Sequence, residues 1–384
     1  SRDSTAVPRR SLSVCLLVRY DSGPARHRAR VGELKFQRSR GQSRVATTMS
    51  LVLPPAKRAR VEEDEEVAGG EISTHVNRSS QLAAPTMLFS GHQAAVYTCK
   101  FDPTGQYMAS GSHDKSIFLW KVYGEDDCNF NVLAGHKNVV LDLCWNRDGS
   151  KVISASADKS VGVWDVNVGR RTRTLSKHSG VVNSVGLGEG SLIVSGSDDC
   201  TAKVWDVRSR RVEQEFEAKY QITAACFSHD NELIFTAGID NEIKAWDRRN
   251  ESVVFVLEGH KDTITGMAVS PNGASLLTNS MDKSLIQWDV RPFVNESRFS
   301  KQFFGGQHNM EKNLLKCSWS ADGEMVSAGS SDHVVHIWDV PTGEELYHLP
   351  GHAGSVNEVA FHPKEPVIAS CGSDKQIYLG ELNA

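Results

Sequence analysis

The chain has 384 residues, of which 39% are hydrophobic and 23% charged, the composition of an ordinary globular protein. Its formal charge is −4, but residues 1–48 carry eleven Lys and Arg against three Asp and Glu, which leaves the rest at about −12. So acidic a remainder disfavours a broad nucleic-acid-binding surface, because phosphate neutralisation needs clustered Lys and Arg. No apolar run approaches the roughly 18 residues of a membrane span, so we expect no membrane association. The eight cysteines show no CxxC spacing, which indicates a reducing compartment.

The first segment, residues 1–48, is rich in arginine and has no hydrophobic period, and the first methionine of the chain is Met49. An arginine-rich, acid-poor start is typical of a mitochondrial transit peptide, but such a peptide would also show amphipathic helical spacing. We therefore expect residues 1–48 to be disordered, or to be translated from upstream of the native start.

The second segment, residues 49–85, carries a short basic cluster. Lys57, Arg58 and Arg60 follow a pair of prolines and precede a run of acidic residues. Prolines keep such a cluster extended, so its cations can reach the carboxylates of an import receptor, although short basic clusters also occur in solvated linkers. We interpret residues 49–85 as a disordered linker with a nuclear-import-like cluster, which predicts a nuclear protein.

From residue 86 onward the chain repeats. An aspartate stands six residues before a tryptophan in six units, and a seventh unit has Asp374 with Gly380 in place of tryptophan. Successive aspartates lie 41 to 44 residues apart except for one interval of 50. Each unit contains short β-branched runs separated by Gly, Asn, Asp and Ser, which indicates strands joined by tight turns. This period and composition predict an all-β, seven-bladed WD40 propeller over residues 86–384.

The end of the chain predicts how the ring closes. The seventh unit ends with its third strand, at about Leu382, so its fourth strand must come from elsewhere. Thr86 to Phe89 stand before the first Gly-His pair with no blade ahead of them. We expect this N-terminal strand to pair with residues 377–382, which removes a free sheet edge.

Four residue types recur at fixed positions in the units. We predict a buried hydrogen-bond relay in which Trp donates to Ser or Thr, the hydroxyl bonds a His, and an Asp of a turn orients the His. Three units lack a member: Ala218-Lys219 replaces Gly-His, Ala328 replaces Ser or Thr, and Gly380 replaces Trp. We expect those blades to depend more on packing. The complete sets are His92, Ser110, Asp114 and Trp120; His136, Ser154, Asp158 and Trp164; His178, Ser195, Asp199 and Trp205; and His260, Thr278, Asp282 and Trp288.

The same Ser, His and Asp residues could suggest a catalytic triad. One chain does not need four identical active sites, and a nucleophile requires an exposed position and an oxyanion hole. The sequence shows no phosphate-binding glycine loop, metal cluster or paired acids either. We therefore predict no catalytic, cofactor-binding or metal-binding residue, and no enzyme activity.

One connector departs from the repeat length. The interval of 50 adds eight residues across 291–313. An extended loop on a rigid scaffold is a natural place for a partner contact, but it can equally be a tolerated insertion.

Residues 86–384 resemble the WD-repeat family of the 40 kDa subunit of the U5 small nuclear ribonucleoprotein. The resemblance rests on motifs that generic repeats lack. It implies a non-catalytic scaffold for pre-mRNA splicing, monomeric within a larger complex, with the large spliceosomal scaffold protein, a helicase and a GTPase as neighbours and without sequence-specific RNA binding. The motifs include Leu119-Trp120-Lys121, Tyr220-Gln221, Trp288-Asp289-Val290-Arg291-Pro292-Phe293 and Tyr378-Leu379-Gly380-Glu381.

A second interpretation comes from another class of protein. Arg208, Arg249 and Arg291 each stand two residues after a Trp-Asp pair, the WDxR pattern of substrate receptors of cullin-RING ubiquitin ligases. There the arginine would contact an adaptor protein. Arginine also follows Trp-Asp simply as a solvated turn residue, so this short motif needs structural context.

Overall fold

A computed structural model describes residues 80–124, 128–209, 211–294, 297–309, 311 and 313–382. The predictions made for residues 1–48 and for the basic cluster Lys57, Arg58 and Arg60 lie outside these residues. The regular secondary structure in the described ranges is β-strand throughout. No helix there is long and apolar enough to cross a membrane.

Twenty-eight strands form seven four-stranded antiparallel sheets, which confirms the seven-bladed propeller. Blade 1 comprises β2–β5, blade 2 β6–β9, blade 3 β10–β13, blade 4 β14–β17, blade 5 β18–β21, blade 6 β22–β25, and blade 7 β26–β28 with β1. The strands are β1 Thr86–Phe89, β2 Val96–Phe101, β3 Tyr107–Ser112, β4 Ser116–Lys121, β5 Asn129–Ala134, β6 Val140–Trp145, β7 Lys151–Ser156, β8 Val161–Asp165, β9 Arg170–Leu175, β10 Val182–Leu187, β11 Leu192–Ser197, β12 Thr201–Asp206, β13 Val212–Glu217, β14 Ile222–Phe227, β15 Leu233–Gly238, β16 Glu242–Asp247, β17 Ser252–Glu258, β18 Ile264–Val269, β19 Ser275–Ser280, β20 Ser284–Asp289, β21 Phe299–Phe304, β22 Cys317–Trp319, β23 Met325–Ala328, β24 Val334–Asp339, β25 Glu345–Pro350, β26 Val356–Phe361, β27 Val367–Gly372 and β28 Ile377–Glu381.

The core lies between neighbouring blades. The second strands are almost wholly buried, as in β7, whereas an outer strand such as β9 alternates exposed and half-buried residues. Ala109 and Leu119 of blade 1 share one apolar cluster with Leu143 and Trp145 of blade 2. Each sheet therefore buries its faces against its neighbours, which a single four-stranded unit could not do.

Closure of the ring is confirmed. The N-terminal strand β1 pairs antiparallel with β28, Thr86 opposite Gly380 and Phe89 opposite Ile377. The Phe89 ring also stacks on Trp120 of blade 1, with centroids 5.2 Å apart. One short strand thus completes blade 7 and contacts blade 1.

The long connector is not a single loop. The outer strand of blade 5, β21, lies inside it and divides it into residues 290–298 and 305–316. Both pieces are longer than the equivalent loops elsewhere, such as 166–169 in blade 2 and 259–263 before blade 5. The extra residues are therefore shared between two loops on either side of one strand.

Candidate functional site

The recurring aspartate builds the turn between the second and third strands of every blade. The residue after it has a left-handed backbone in all seven blades, with φ between 63° and 72°. In blade 1 the Asp114 Oδ1 accepts a hydrogen bond from the backbone N–H of Ser116 at 3.0 Å, and Asp158 does the same for Ser160 in blade 2. Such a local bond satisfies a turn N–H, which explains aspartate at this position. The other carboxylate oxygen is left free to face the histidine.

The four members of each complete set are in contact. In blade 1 the Nδ1 of His92 lies 2.8 Å from Asp114 Oδ2, and its Nε2 lies 2.7 Å from Ser110 Oγ. Trp120 Nε1 donates to the same hydroxyl at 2.8 Å. Blades 2, 3 and 5 repeat the arrangement, with His–Asp distances of 2.8, 2.8 and 3.2 Å. Each hydroxyl accepts from tryptophan and can donate to histidine, so both ring nitrogens are bonded.

The protonation of the relay follows from these bonds. Burial alone would raise the pKa of Asp158, but hydrogen bonds from His136 and Ser160 hold it well below its usual range. Burial lowers the pKa of His178, against the opposing effect of Asp199. In blade 3 the relay therefore holds an ionised Asp199 carboxylate and a neutral His178 imidazole that donates through Nδ1.

This arrangement does not suit nucleophilic chemistry. The hydroxyls of Ser110, Ser154, Ser195 and Thr278 belong to residues with 0% exposure. Each hydroxyl oxygen also accepts a hydrogen bond from the indole N–H, which occupies a lone pair that a nucleophile would use for attack. We interpret the relay as structural, because substrate cannot reach the hydroxyl.

The three blades with incomplete sets, which we expected to depend more on packing, keep polar contacts to the turn aspartate. In blade 4 Lys244 Nζ lies 2.5 Å from Asp240 Oδ2, and Trp246 still donates to Thr236. In blade 7 His352 lies 2.9 Å from Asp374 and 2.8 Å from Ser370 Oγ. Blade 4 thus replaces the missing histidine with a lysine of the same blade, whereas blade 7 lacks only the tryptophan and keeps the other contacts.

Blade 6 departs furthest from the pattern. Gly305 follows the outer strand β21 as Gly135 follows β5, so Gly306 stands where blade 2 carries His136. His336, on the third strand β24, takes over the contact with the turn aspartate, its Nε2 2.9 Å from Asp332 Oδ2. Sequence reasoning missed His336, although its position four residues after the aspartate matches that of Lys244 in blade 4.

A second polar group that sequence reasoning missed lies at the centre of the ring. The first strands of all seven blades line a cavity of about 230 Å³. Lys100 Nζ of blade 1 lies 2.5 Å from Glu358 Oε1 of blade 7, whose side chain is 0% exposed. Lys316, before β22, forms an ion pair with Asp142 of blade 2. Burial would raise the pKa of Glu358, but Lys100 and Lys316 lower it.

The three WDxR arginines are exposed turn residues. Arg249 pairs with Glu232 of its own blade, and Arg291 bonds the carboxylate of Asp289 with Nε–O distances of 3.0 Å. Arg208 lies on the turn after β12, where its backbone N–H donates to Asp206 at 2.7 Å. Two of the three arginines therefore already have carboxylate partners within the blade.

The WD domain, G-beta repeat family matches this chain seven times, at residues 83–121, 128–165, 169–206, 211–247, 251–289, 302–339 and 343–379. The U5 small nuclear ribonucleoprotein 40 kDa protein of Dictyostelium discoideum is 48% identical over 358 residues, covering 82% of this chain and 89% of that protein. The chain belongs to the WD-repeat family of U5 40 kDa proteins. Its human relative of the same name is 45% identical over 347 residues, covering 86% of this chain and 97% of that protein. The pre-mRNA-splicing factor cwf17 of Schizosaccharomyces pombe is 44% identical and covers 90% of this chain and 99% of its own length.

The similarity to the U5 40 kDa proteins covers 82–86% of this chain. At 45% identity over 347 residues, it is not confined to the Trp-Asp positions. It gives no support to the ubiquitin-ligase interpretation of the three arginines.

Proposed function

We propose that this chain is a non-catalytic scaffold subunit of the U5 small nuclear ribonucleoprotein and takes part in pre-mRNA splicing. The observation that carries the proposal is the identity of 44–48% with three proteins named for U5 or for splicing, over 89–99% of their lengths.

The buried relay and the charge of the chain agree with a binding role. The relay hydroxyls are buried and engaged, and the chain after residue 48 has a formal charge of about −12. An acidic scaffold favours protein partners over a broad RNA surface. The family resemblance names the large spliceosomal scaffold protein, the helicase and the GTPase as candidate partners, and a nuclear location follows from the role.

One described residue has the features of a partner contact. Phe293, in the connector loop of residues 290–298, is 96% exposed and has a left-handed backbone with φ of 59°. An aromatic side chain held in solvent gains little for folding, whereas buried aromatics dominate interface energies. We infer that Phe293 inserts into a partner.

The experiment is an affinity purification of the tagged chain from nuclear extract, followed by identification of RNA and protein. Recovery of U5 RNA with the large scaffold protein is the expected result. Recovery of a cullin and its adaptor without U5 RNA would contradict the proposal. In that event, alanine at Arg208, Arg249 and Arg291 should abolish adaptor binding.

The Phe293 contact is tested in the same purification. Phe293→Ser should reduce recovery of U5 components while leaving the melting temperature unchanged, because the side chain packs against little of its own chain. Leu88→Ser is the matched control, since Leu88 is 51% exposed on a different blade. Equal recovery with both variants would reject the contact but not the scaffold role.

Nuclear entry is tested separately, with a reporter fused to residues 49–70. We expect nuclear accumulation that is lost when Lys57, Arg58 and Arg60 are changed to alanine. A reporter that stays cytoplasmic would remove the import role from this cluster.

A further inference from the structure

Blade 6 has lost two members of the relay but has kept its aspartate and tryptophan. Gly306 stands in the position of histidine and Ala328 in that of serine, so Trp338 Nε1 donates instead to the Phe304 carbonyl at 3.1 Å. The space beside the tryptophan is filled by His336, whose ring stacks on Trp338 with centroids 5.7 Å apart and planes 14° apart.

His336 is oriented like a metal-binding histidine. Its side chain is 3% exposed, and its Nε2 lies 2.9 Å from Asp332 Oδ2. A carboxylate on one ring nitrogen fixes the proton there and leaves the lone pair of the other nitrogen available to a metal. The Nδ1 of His336 therefore faces the outer strand β25 as a donor atom.

The outer strand presents two further donors on the same side. Glu345 and His348 are three residues apart, so in a regular strand they would face opposite sides. A β-bulge removes this difference: His336 pairs with His348 and Ile337 with Tyr347, but Trp338 pairs with Glu345, which leaves one residue between unpaired. Glu345 Oε1 consequently lies 2.6 Å from His336 Nδ1 and 3.2 Å from His348 Nδ1.

The charges of this group call for a cation. Two carboxylates, Asp332 and Glu345, bond opposite nitrogens of a single imidazole. An ionised carboxylate can only accept, so a contact of 2.6 Å between Glu345 Oε1 and His336 Nδ1 requires either a proton or a metal ion between the two atoms. A metal ion in that place would be bound by both atoms.

Room for a further ligand exists beside the group. A Cβ placed on Gly305, where φ is 137°, would lie 3.4 Å from Glu345 Oε2 and 3.7 Å from His336 Nδ1. Glycine leaves that volume open to solvent, next to the donor atoms.

We propose that His336, Glu345 and His348 form a Zn²⁺ site on blade 6, with water as the fourth ligand. Two imidazoles and one carboxylate suit Zn²⁺, whereas Mg²⁺ and Ca²⁺ prefer oxygen ligands. The three donor atoms lie within 4.8 Å of one another, and bonds of about 2 Å would bring them to roughly 3.3 Å in a tetrahedral site. Glu345 and His348 can make that adjustment because their side chains are 31% and 62% exposed. A bound ion would link β24 to β25 beside the connector loop of residues 305–316.

The test is titration of the metal-stripped full chain with Zn²⁺ by calorimetry and with Co²⁺ by visible absorption. We expect one site with a tetrahedral Co²⁺ spectrum, and a thermal midpoint that rises with Zn²⁺. Loss of a residue that only hydrogen-bonds a metal ligand weakens metal sites about 10- to 100-fold, so loss of a ligand itself, in His348→Ala or Glu345→Gln, should weaken this site at least about tenfold. Both residues are exposed, so the variants should fold.

His333→Asn is the matched control. His333 is an exposed histidine of the same blade, and asparagine tolerates its left-handed backbone. The affinity of the His333→Asn variant for Co²⁺ should equal that of the unmodified chain. Absence of the Co²⁺ spectrum in the unmodified chain, or an affinity unchanged by both His348→Ala and Glu345→Gln, would overturn the proposal.

Discussion

At the scale of single residues, loss of the relay hydroxyl leaves more buried polar groups without a hydrogen-bond partner than loss of the tryptophan does. Ser154 Oγ lies 2.6 Å from His136 Nε2 and accepts the indole N–H of Trp164 at 2.8 Å. Removing one oxygen therefore leaves two buried groups without a partner. An unmade bond at a buried donor or acceptor costs more than a made bond contributes.

We predict that Ser154→Ala lowers the free energy of unfolding by about 1–3 kcal/mol. Urea unfolding followed by tryptophan fluorescence measures it. Ser179→Ala provides the control, because Ser179 is exposed and an exposed substitution should stay within about 0.5 kcal/mol. If the two variants unfold at the same urea concentration, the relay does not stabilise the blade.

Buried histidines predict an acid sensitivity of the fold. Burial lowers the pKa of His178 and His352, and that of His308 to about 4. Since the unfolded histidines bind protons first, at about pH 6.5, stability present above that pH is lost as the pH falls. The thermal midpoint should therefore decline between about pH 6.5 and 5, before most carboxylates titrate. A midpoint that stays constant over this interval would contradict the assignment of neutral imidazoles.

Sequence spacing predicted the positions of the relay residues because they recur at a fixed period. It could not predict the contacts of Lys244 and His336. Each lies on the third strand of its blade, whereas the histidine that it replaces would stand in the loop before the first strand. Nor did it suggest the metal site that we propose, because His336 and Glu345 meet through a bulge that spacing does not reveal.

At the scale of strands, substitutions in β1 test whether this strand closes the ring of blades. Phe89 is 4% exposed and stacks on Trp120, whereas its neighbour Leu88 is 51% exposed. Phe89→Ala should cost about 3–5 kcal/mol, while Leu88→Ala should cost far less. Deletion of residues 86–90 should lower the melting temperature further, because it exposes the edge of β28. A deletion variant that melts like the intact chain would show that β1 contributes nothing to the ring.

Strand order and closure were predictable from the repeat, because each Gly-His pair marks the start of the next blade. The connector was interpreted as one loop because its length was counted between aspartates, and this count does not say where β21 falls within it. Outer strands such as β21 and β25 are half-exposed and so show weaker hydrophobic alternation than inner strands.

At the scale of the whole molecule, the ring is joined across its centre as well as around its edge. Lys316 and Asp142 lie 174 residues apart, on blades 6 and 2, and their side chains are only 12% and 10% exposed. Asp142 also accepts the backbone N–H of Val185 at 2.9 Å. No local pattern predicts such a pair, since each member is an ordinary charged residue until the ring brings the two together.

We predict that Lys316→Met lowers the free energy of unfolding by about 3–5 kcal/mol, because it leaves the Asp142 carboxylate buried without its cation. Adding Asp142→Asn should recover part of the loss, since the buried charge is then gone while the amide oxygen can still accept from Val185. The exposed pair of Arg147 and Glu189, 62% and 59% exposed, is the matched control. Arg147→Met should cost no more than about 1 kcal/mol. If the effects of Lys316→Met and Asp142→Asn on the free energy of unfolding in urea are strictly additive, blades 2 and 6 are not coupled across the central cavity.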